Sequence, residues 1–182
     1  MIRITTGSAK NKILEIPNID SFRGVQEKAK LSMFSMIGDK IEDSICLDLF
    51  SGSGNLGIES LSRGAEWCDF VDEEYECTKV IEKNLFNCGF LEKSQVFRKN
   101  SIKYINSCTK QYDFIFMDPY YKDKAHRHLF KIIRNILSPD GYIYYFHSLN
   151  LTDEEISKIL EDTKLKSIDK RRFGESIFEV IT

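Results

Sequence analysis

ICLDLFSGSGNLG, residues Ile45 to Gly57, begins as an apolar run carrying one acid and ends on glycines spaced G-x-G-x-x-G. The run reads as a buried strand, and Asn55–Arg63 as the helix that follows it. Gly52 and Gly54 allow a tight turn and close approach of a ligand to the backbone, while Gly57 lets the helix pack on the strand. Glycine spacing alone is a weak signal. It gains meaning from the strand before it, the helix after it and an acid about twenty residues further on. That acid is Asp72, which closes WCDFVD, where a carboxylate can accept hydrogen bonds from two ribose hydroxyls.

The same alternation continues along the chain. WCDFV, SQVFR, DFIFM and YIYYFH read as strands. Tyr75–Cys88 (stopped by Gly89), Ser101–Ser107, Asp123–Leu137 (stopped by Ser138-Pro139-Asp140-Gly141) and Thr152–Leu160 read as helices. KLKSIDKRRF and SIFEVIT read as a closing antiparallel pair. Such an order predicts an α/β fold, Rossmann-like, with a mostly parallel sheet and helices on both faces. Ahead of it, IRITT and KILEI around Gly7–Lys10 predict a β-hairpin. After a Ser21 cap, Ala29, Met33, Met36 and Ile37 predict a helix. We therefore expect a hairpin-and-helix appendage over residues 1–40 on a main domain over 41–182, together one compact body.

Ligands of parallel sheets bind outside the carboxyl ends of the strands. Two suit the glycine loop: a nicotinamide dinucleotide, whose pyrophosphate would face the helix start, and S-adenosylmethionine (SAM). SAM has no phosphate but carries a sulfonium and an amino group. Asp48, four residues before Gly52, favours the second, because a buried strand carboxylate without an electrostatic task is costly. After SQVFR, Asn100 and Ser101 stand where an adenine edge would lie, and either residue also suits a helix cap.

The strand DFIFM runs into Asp118-Pro119-Tyr120-Tyr121. The exocyclic amine of a base is a poor nucleophile, since its lone pair is delocalised into the ring. A site that methylates it must accept the amino hydrogens and hold the nitrogen in line with the methyl group. Asp118 and the Pro119 carbonyl supply two acceptors, and the Tyr121 ring offers a stacking surface for an extruded base.

Composition sets limits on the partners. At 182 residues, 42% apolar and 30% charged, the chain reads as an ordinary globular protein. It shows neither a secretory leader nor an apolar run able to span a bilayer, so a cytoplasmic location with no membrane partner is expected. Five cysteines lack paired spacing, which predicts reduced thiols and no metal. Residues 1–40 hold seven basic and four acidic side chains, whereas 41–120 hold eight and fourteen. That relatively basic arm could place a phosphate backbone, with Lys10, Lys12, Arg23, Lys28 and Lys30 as candidates.

Asp48–Ala65, the strand ending MDPYY, the opening Arg3–Gly7, Arg23–Phe34 and the tail Arg171–Ser176 together resemble bacterial RsmD-type methyltransferases. These use SAM to make N2-methylguanine in small-subunit ribosomal RNA. The resemblance implies a seven-stranded sheet with an antiparallel last strand, SAM as cofactor, and ribosomal RNA or an assembling small subunit as partner. It also implies the positions Asp48, Gly52, Gly54 and Asp72 for SAM and Asp118, Pro119 and Tyr121 for the amine. Three places depart from it: Tyr120 for a second proline, Arg23-Gly24-Val25 for Arg-Pro-Thr, and Asn100 for an aspartate. The other classes that the residues leave open are a non-catalytic RNA- or ribosome-binding module, a DNA adenine methyltransferase, and an NAD-dependent oxidoreductase motivated by the glycines alone.

Overall fold

The computed structural model describes residues 1–20, 22–120, 125–161 and 163–182. A short antiparallel pair, β1 (Ile2–Arg3) and β2 (Ile13–Leu14), precedes α1 (Glu27–Ile37). Then follow β3 (Ile45–Leu49), α2 (Asn55–Ser62), β4 (Trp67–Asp72), α3 (Tyr75–Cys88), β5 (Ser94–Arg98), α4 (Ser101–Ser107) and β6 (Tyr112–Met117). The chain ends with α5 (Phe130–Ile133), β7 (Leu137–Ser148), α6 (Asp153–Leu160), β8 (Ser167–Phe173) and β9 (Ser176–Ile181). The seven-stranded sheet has the order β5-β4-β3-β6-β7-β9-β8, and β9 is antiparallel to both of its neighbours.

Central strands are apolar on both faces because both are covered. On one side Cys46, Phe70, Phe114, Phe116 and Tyr144 meet α1, α2 and α3 through Phe34, Leu56 and Ile81. On the other, Leu47, Val71, Ile115 and Tyr145 meet α4, α5 and α6 through Ile105, Ile133 and Ile156. Ile4, Ala9 and Leu14 of the N-terminal segment join the first of these cores.

Helix ends follow local chemistry. α3 stops at Gly89, at φ 80°, where Phe90 N–H returns to Leu85 O at 2.9 Å. Thr152 and Glu155 form a capping box that opens α6. The Ser21 cap lies outside the described residues; α1 begins only at Glu27, and Gln26 before it makes no side-chain cap. The helix expected over Asp123–Leu137 is also corrected. Its described part is 3₁₀ at Ala125–Leu129, α-helical at Phe130–Ile133 and 3₁₀ again at Arg134–Ile136. The apolar positions Leu129, Phe130, Ile133 and Ile136 are buried as their spacing suggests, but tighter turns satisfy that spacing equally. Ser138–Gly141, expected to be a turn, lies inside β7, where the register with β6 shifts between Tyr112 and Phe114. Pro139 has no amide hydrogen to give the ladder, so pairing breaks there.

Gly57 is where α2 crosses β4. A methyl group on it would come 2.3 Å from the Phe70 ring and 2.8 Å from Cys68 Sγ, both in the core. Gly57→Ala is expected to lose roughly 1–3 kcal/mol to overpacking, measured as a lower urea midpoint. An unchanged midpoint would show that β4 can move away.

Candidate active site

The functional side chains collect at the carboxyl ends of β3, β4 and β6. Beyond β3, Ser51 continues the pairing with β4: its Oγ donates to Asp48 O at 2.5 Å and accepts Val71 N–H at 3.0 Å. The chain then turns through Gly52 (φ 57°) and Gly54 (φ 77°) into α2. Phe50 shares this left-handed backbone at φ 59°. An aromatic residue held there is strained, and strain of this kind gathers where a loop must keep a shape for a ligand. Nothing in the sequence marks it except its place between strand and glycines.

Asp72 braces the loop from β4. Its Oδ2 accepts Gly52 N–H at 2.9 Å and its Oδ1 accepts Glu74 N–H at 3.0 Å. The Cys77 thiol also hydrogen-bonds this carboxyl, which leaves acceptor capacity for a ligand hydroxyl. Asp48, buried in β3, accepts Gly57 N–H at 2.8 Å. Asp118 directly follows β6, and after it come buried Pro119 and Tyr120, which is 44% exposed.

All three carboxyls are raised above their ordinary range, in each case first by burial. Asp118 is pushed up to about 7. Asp72 is raised by burial against the pull of the Gly52 and Glu74 amides. Asp48 is raised well above by burial, opposed by the Gly57 amide and reinforced by the charges of Asp118 and Asp72. Among the described residues no cation pairs any of the three. The pocket therefore suits a ligand carrying positive charge and repels a pyrophosphate. A SAM sulfonium and ammonium suit these carboxyls better than the pyrophosphate of a nicotinamide dinucleotide does.

The remaining predicted residues fall in different places. Asn100 caps α4, accepting Ile102 N–H at 3.1 Å, and its amide nitrogen donates to Glu73 Oε2 at 3.1 Å. Ser101 is buried behind it. Tyr121 lies outside the described residues. Lys10, Lys12, Arg23 and Lys28 are exposed. Lys30 is not: its ammonium is buried, 2.8 Å from Glu59 Oε2, 2.6 Å from Arg3 O and 2.7 Å from Asn55 Oδ1. A phosphate cannot reach it, so it leaves the set of RNA-contact candidates. Among the described residues no group of three or more His, Cys, Asp or Glu is placed to hold a metal, and no helix is long and apolar enough to cross a membrane.

Sequence reasoning missed Asn84 on α3. It accepts Glu15 N–H at 2.9 Å and donates to Glu15 O at 3.0 Å and Ser53 O at 2.9 Å. The N-terminal segment is thereby tied to the glycine loop. The available signal was an amide one turn after Ile81, on the apolar stripe of α3. Further along the same segment Phe22 covers Gly52, where an added methyl group would meet its ring at 3.0 Å.

A family model described as "Conserved hypothetical protein 95" matches residues 2–182. The chain belongs to this family. Among curated proteins it is 35% identical over 151 residues to "Putative rRNA methyltransferase YlbH" of Bacillus subtilis (strain 168), covering 80% of this chain and 82% of that one. It is 30% identical over 143 residues to "Ribosomal RNA small subunit methyltransferase D" of Buchnera aphidicola subsp. Acyrthosiphon pisum, covering 78% and 72%. Of solved structures, "Putative methyltransferase yhhF from Escherichia coli" superposes with a TM-score of 0.84 at 21% identity, over 99% of this chain and 96% of that one. SMU.776, "a putative methyltransferase complexed with SAH", superposes at 0.74 and 17% identity, over 88% of this chain and half of that one. The fold of this Conserved hypothetical protein 95 member is thus the Rossmann-like one on which these structures superpose.

Proposed function

We propose that the chain is a SAM-dependent methyltransferase of small-subunit ribosomal RNA that modifies the exocyclic amine of a guanine. One observation carries the reading: Asp48, Asp72 and Asp118 converge from three strand ends, and among the described residues no cation pairs with any of them. The names carried by the relatives support ribosomal RNA as substrate. When bound, SAM supplies an electrophilic methyl group. Asp48 faces the ammonium of its methionyl part, Asp72 accepts the ribose hydroxyls, Gly52 and Gly54 admit the cofactor close to the backbone, and Asn100 with Ser101 borders the adenine.

Asp118, as carboxylate, accepts one amino hydrogen of the base and the Pro119 carbonyl accepts the other. Both bonds draw the nitrogen lone pair out of conjugation and hold it in line for transfer. Tyr121 stacks the base, which is turned out of its helix. The nitrogen takes the methyl group and then loses a proton, so no strong general base is required. The work belongs in the cytoplasm, on ribosomal RNA or an assembling small subunit.

The test is transfer from radiolabelled SAM to small subunits lacking the modification, followed by digestion to nucleosides. Label in N2-methylguanosine that disappears with Asp118→Ala is the expected result. Label in another nucleoside would remove the guanine assignment. No Asp118-dependent label on any RNA or DNA would leave a non-catalytic module.

A further inference from the structure

The β8–β9 turn and the start of α1 meet at the edge that carries Asp118. Because β9 runs antiparallel to β7 and to β8, β8 points the same way as β6. The β8–β9 turn therefore stands on the carboxyl edge of the sheet, where Leu149 N–H donates to Glu175 O at 3.3 Å. Arg171 and Arg172 precede that turn, and both are exposed. Pairing opposite Phe178 puts Arg171 on the face covered by α1, and pairing opposite Ile177 puts Arg172 on the other. The two arginines thus straddle the tip. Three interstrand steps separate β8 from β6, about 15 Å, which is roughly four nucleotide steps of a stacked strand.

α1 starts at the same place, since a side chain added to Gly174 would meet Gln26 Nε2 at 3.7 Å. Arg23 and Lys28 lie on either side of Gln26 in sequence, exposed and without an ion-pair partner among the described residues. Nearby acids are largely engaged: Glu27 by Arg3, Asp153 by Lys170, and Asp169 by Arg171. Glu175 remains exposed in the turn itself.

Lys10 and Lys12 lie elsewhere. The tip of the N-terminal segment packs on Ser62, the last residue of α2, through Ser8 N–H to Ser62 O at 2.8 Å. The charge of Lys12 is felt at Cys88, the last residue of α3. That is about 20 Å along the helix from its start at the carboxyl edge.

We propose that RNA docks on the β8–β9 turn and the start of α1, with Arg171, Arg172, Arg23 and Lys28 on its phosphates, and not on the N-terminal hairpin. This inference rests on the RNA substrate proposed above. Charge matches the partner, and the patch borders the amine-holding site closely enough for a short strand to span both.

The test compares two double variants of the full chain for binding to an unmodified small-subunit ribosomal RNA transcript. Arg171→Gln/Arg172→Gln should weaken binding roughly tenfold and lower the log–log salt slope by about two. Lys10→Gln/Lys12→Gln removes the same charge from the far end and should stay within about twofold of wild type. Arg171→Lys/Arg172→Lys should restore the slope, and matching thermal midpoints exclude misfolding. An Arg171→Gln/Arg172→Gln variant that binds like wild type, a larger loss in the Lys10→Gln/Lys12→Gln variant, or no salt-dependent binding by wild type would each overturn the inference. A wild-type protein that binds through the turn yet transfers no methyl group would retire the enzymatic reading while leaving the docking surface in place.

Discussion

Asp118→Ala is expected to lower kcat/KM for methyl transfer by at least about 100-fold, because it removes the acceptor that orients the amine. The pH profile tells this role from a structural one. With its carboxyl pushed up to about 7 by burial, Asp118 is largely protonated below neutrality and accepts from the amine only through a neutral, weaker carbonyl oxygen. Wild-type kcat/KM should rise with pH through about 7 and then level off. A bound sulfonium favours the carboxylate, so under saturating SAM the limb in kcat should move to lower pH. Asp118→Asn keeps an oxygen acceptor without the titration. It should lose activity within about tenfold and lose the limb altogether. A limb that persisted in Asp118→Asn would assign the titration to another group and remove Asp118 from the chemistry.

Stability should move in the opposite sense to activity. The carboxyl of Asp118 has a higher pKa folded than its ordinary 3.8, so the folded protein holds that proton more tightly. Its contribution is fully present below 3.8 and is lost as pH rises through about 7. Above that range Asp118→Asn should melt no lower than wild type. A residue whose ionised form catalyses but destabilises is a common compromise at active sites.

How far the sequence reaches depends on whether a signal is local. α3, β5 and α4 have the bounds that their caps and apolar periods predict, because Gly89 and Asn100 act on backbone within a turn of themselves. Asp123–Leu137 failed because apolar spacing does not separate α from 3₁₀ turns. The glycine loop and Asp72 were legible because strand, turn and helix are contiguous around them. Phe50's backbone was not, since its strain follows from closing the loop against β4. Charge was the least legible property. Lys10, Lys12 and Lys30 look alike in sequence, but the fold sends two to the far end and buries the third. Arg171 and Arg172 were read as part of a tail, and only the reversal at β9 carries them to the edge beside the site.

Lys30 shows what that burial implies. Glu59, fully buried on α2, collects Lys30 at 2.8 Å, Arg63 Nε at 2.9 Å, Thr5 N–H at 2.8 Å and Thr6 N–H at 3.1 Å. α1, α2 and the chain leading from β1 all converge on one carboxylate. Burying an ion pair contributes little net stability, but removing one partner strands the other charge. Glu59→Ala should therefore cost about 3–5 kcal/mol, a fall of roughly 10 °C in Tm for a chain of this size. Lys30→Met/Glu59→Gln should recover most of that loss, because the amide oxygen still accepts Thr5 N–H and no ammonium is left unpaired. A double variant as unstable as Glu59→Ala would mean that the charges themselves hold these elements together. The same variants separate this role from RNA contact. A lysine on phosphate would lower the salt slope of RNA binding when replaced, whereas Lys30→Met should lower Tm and leave that slope unchanged.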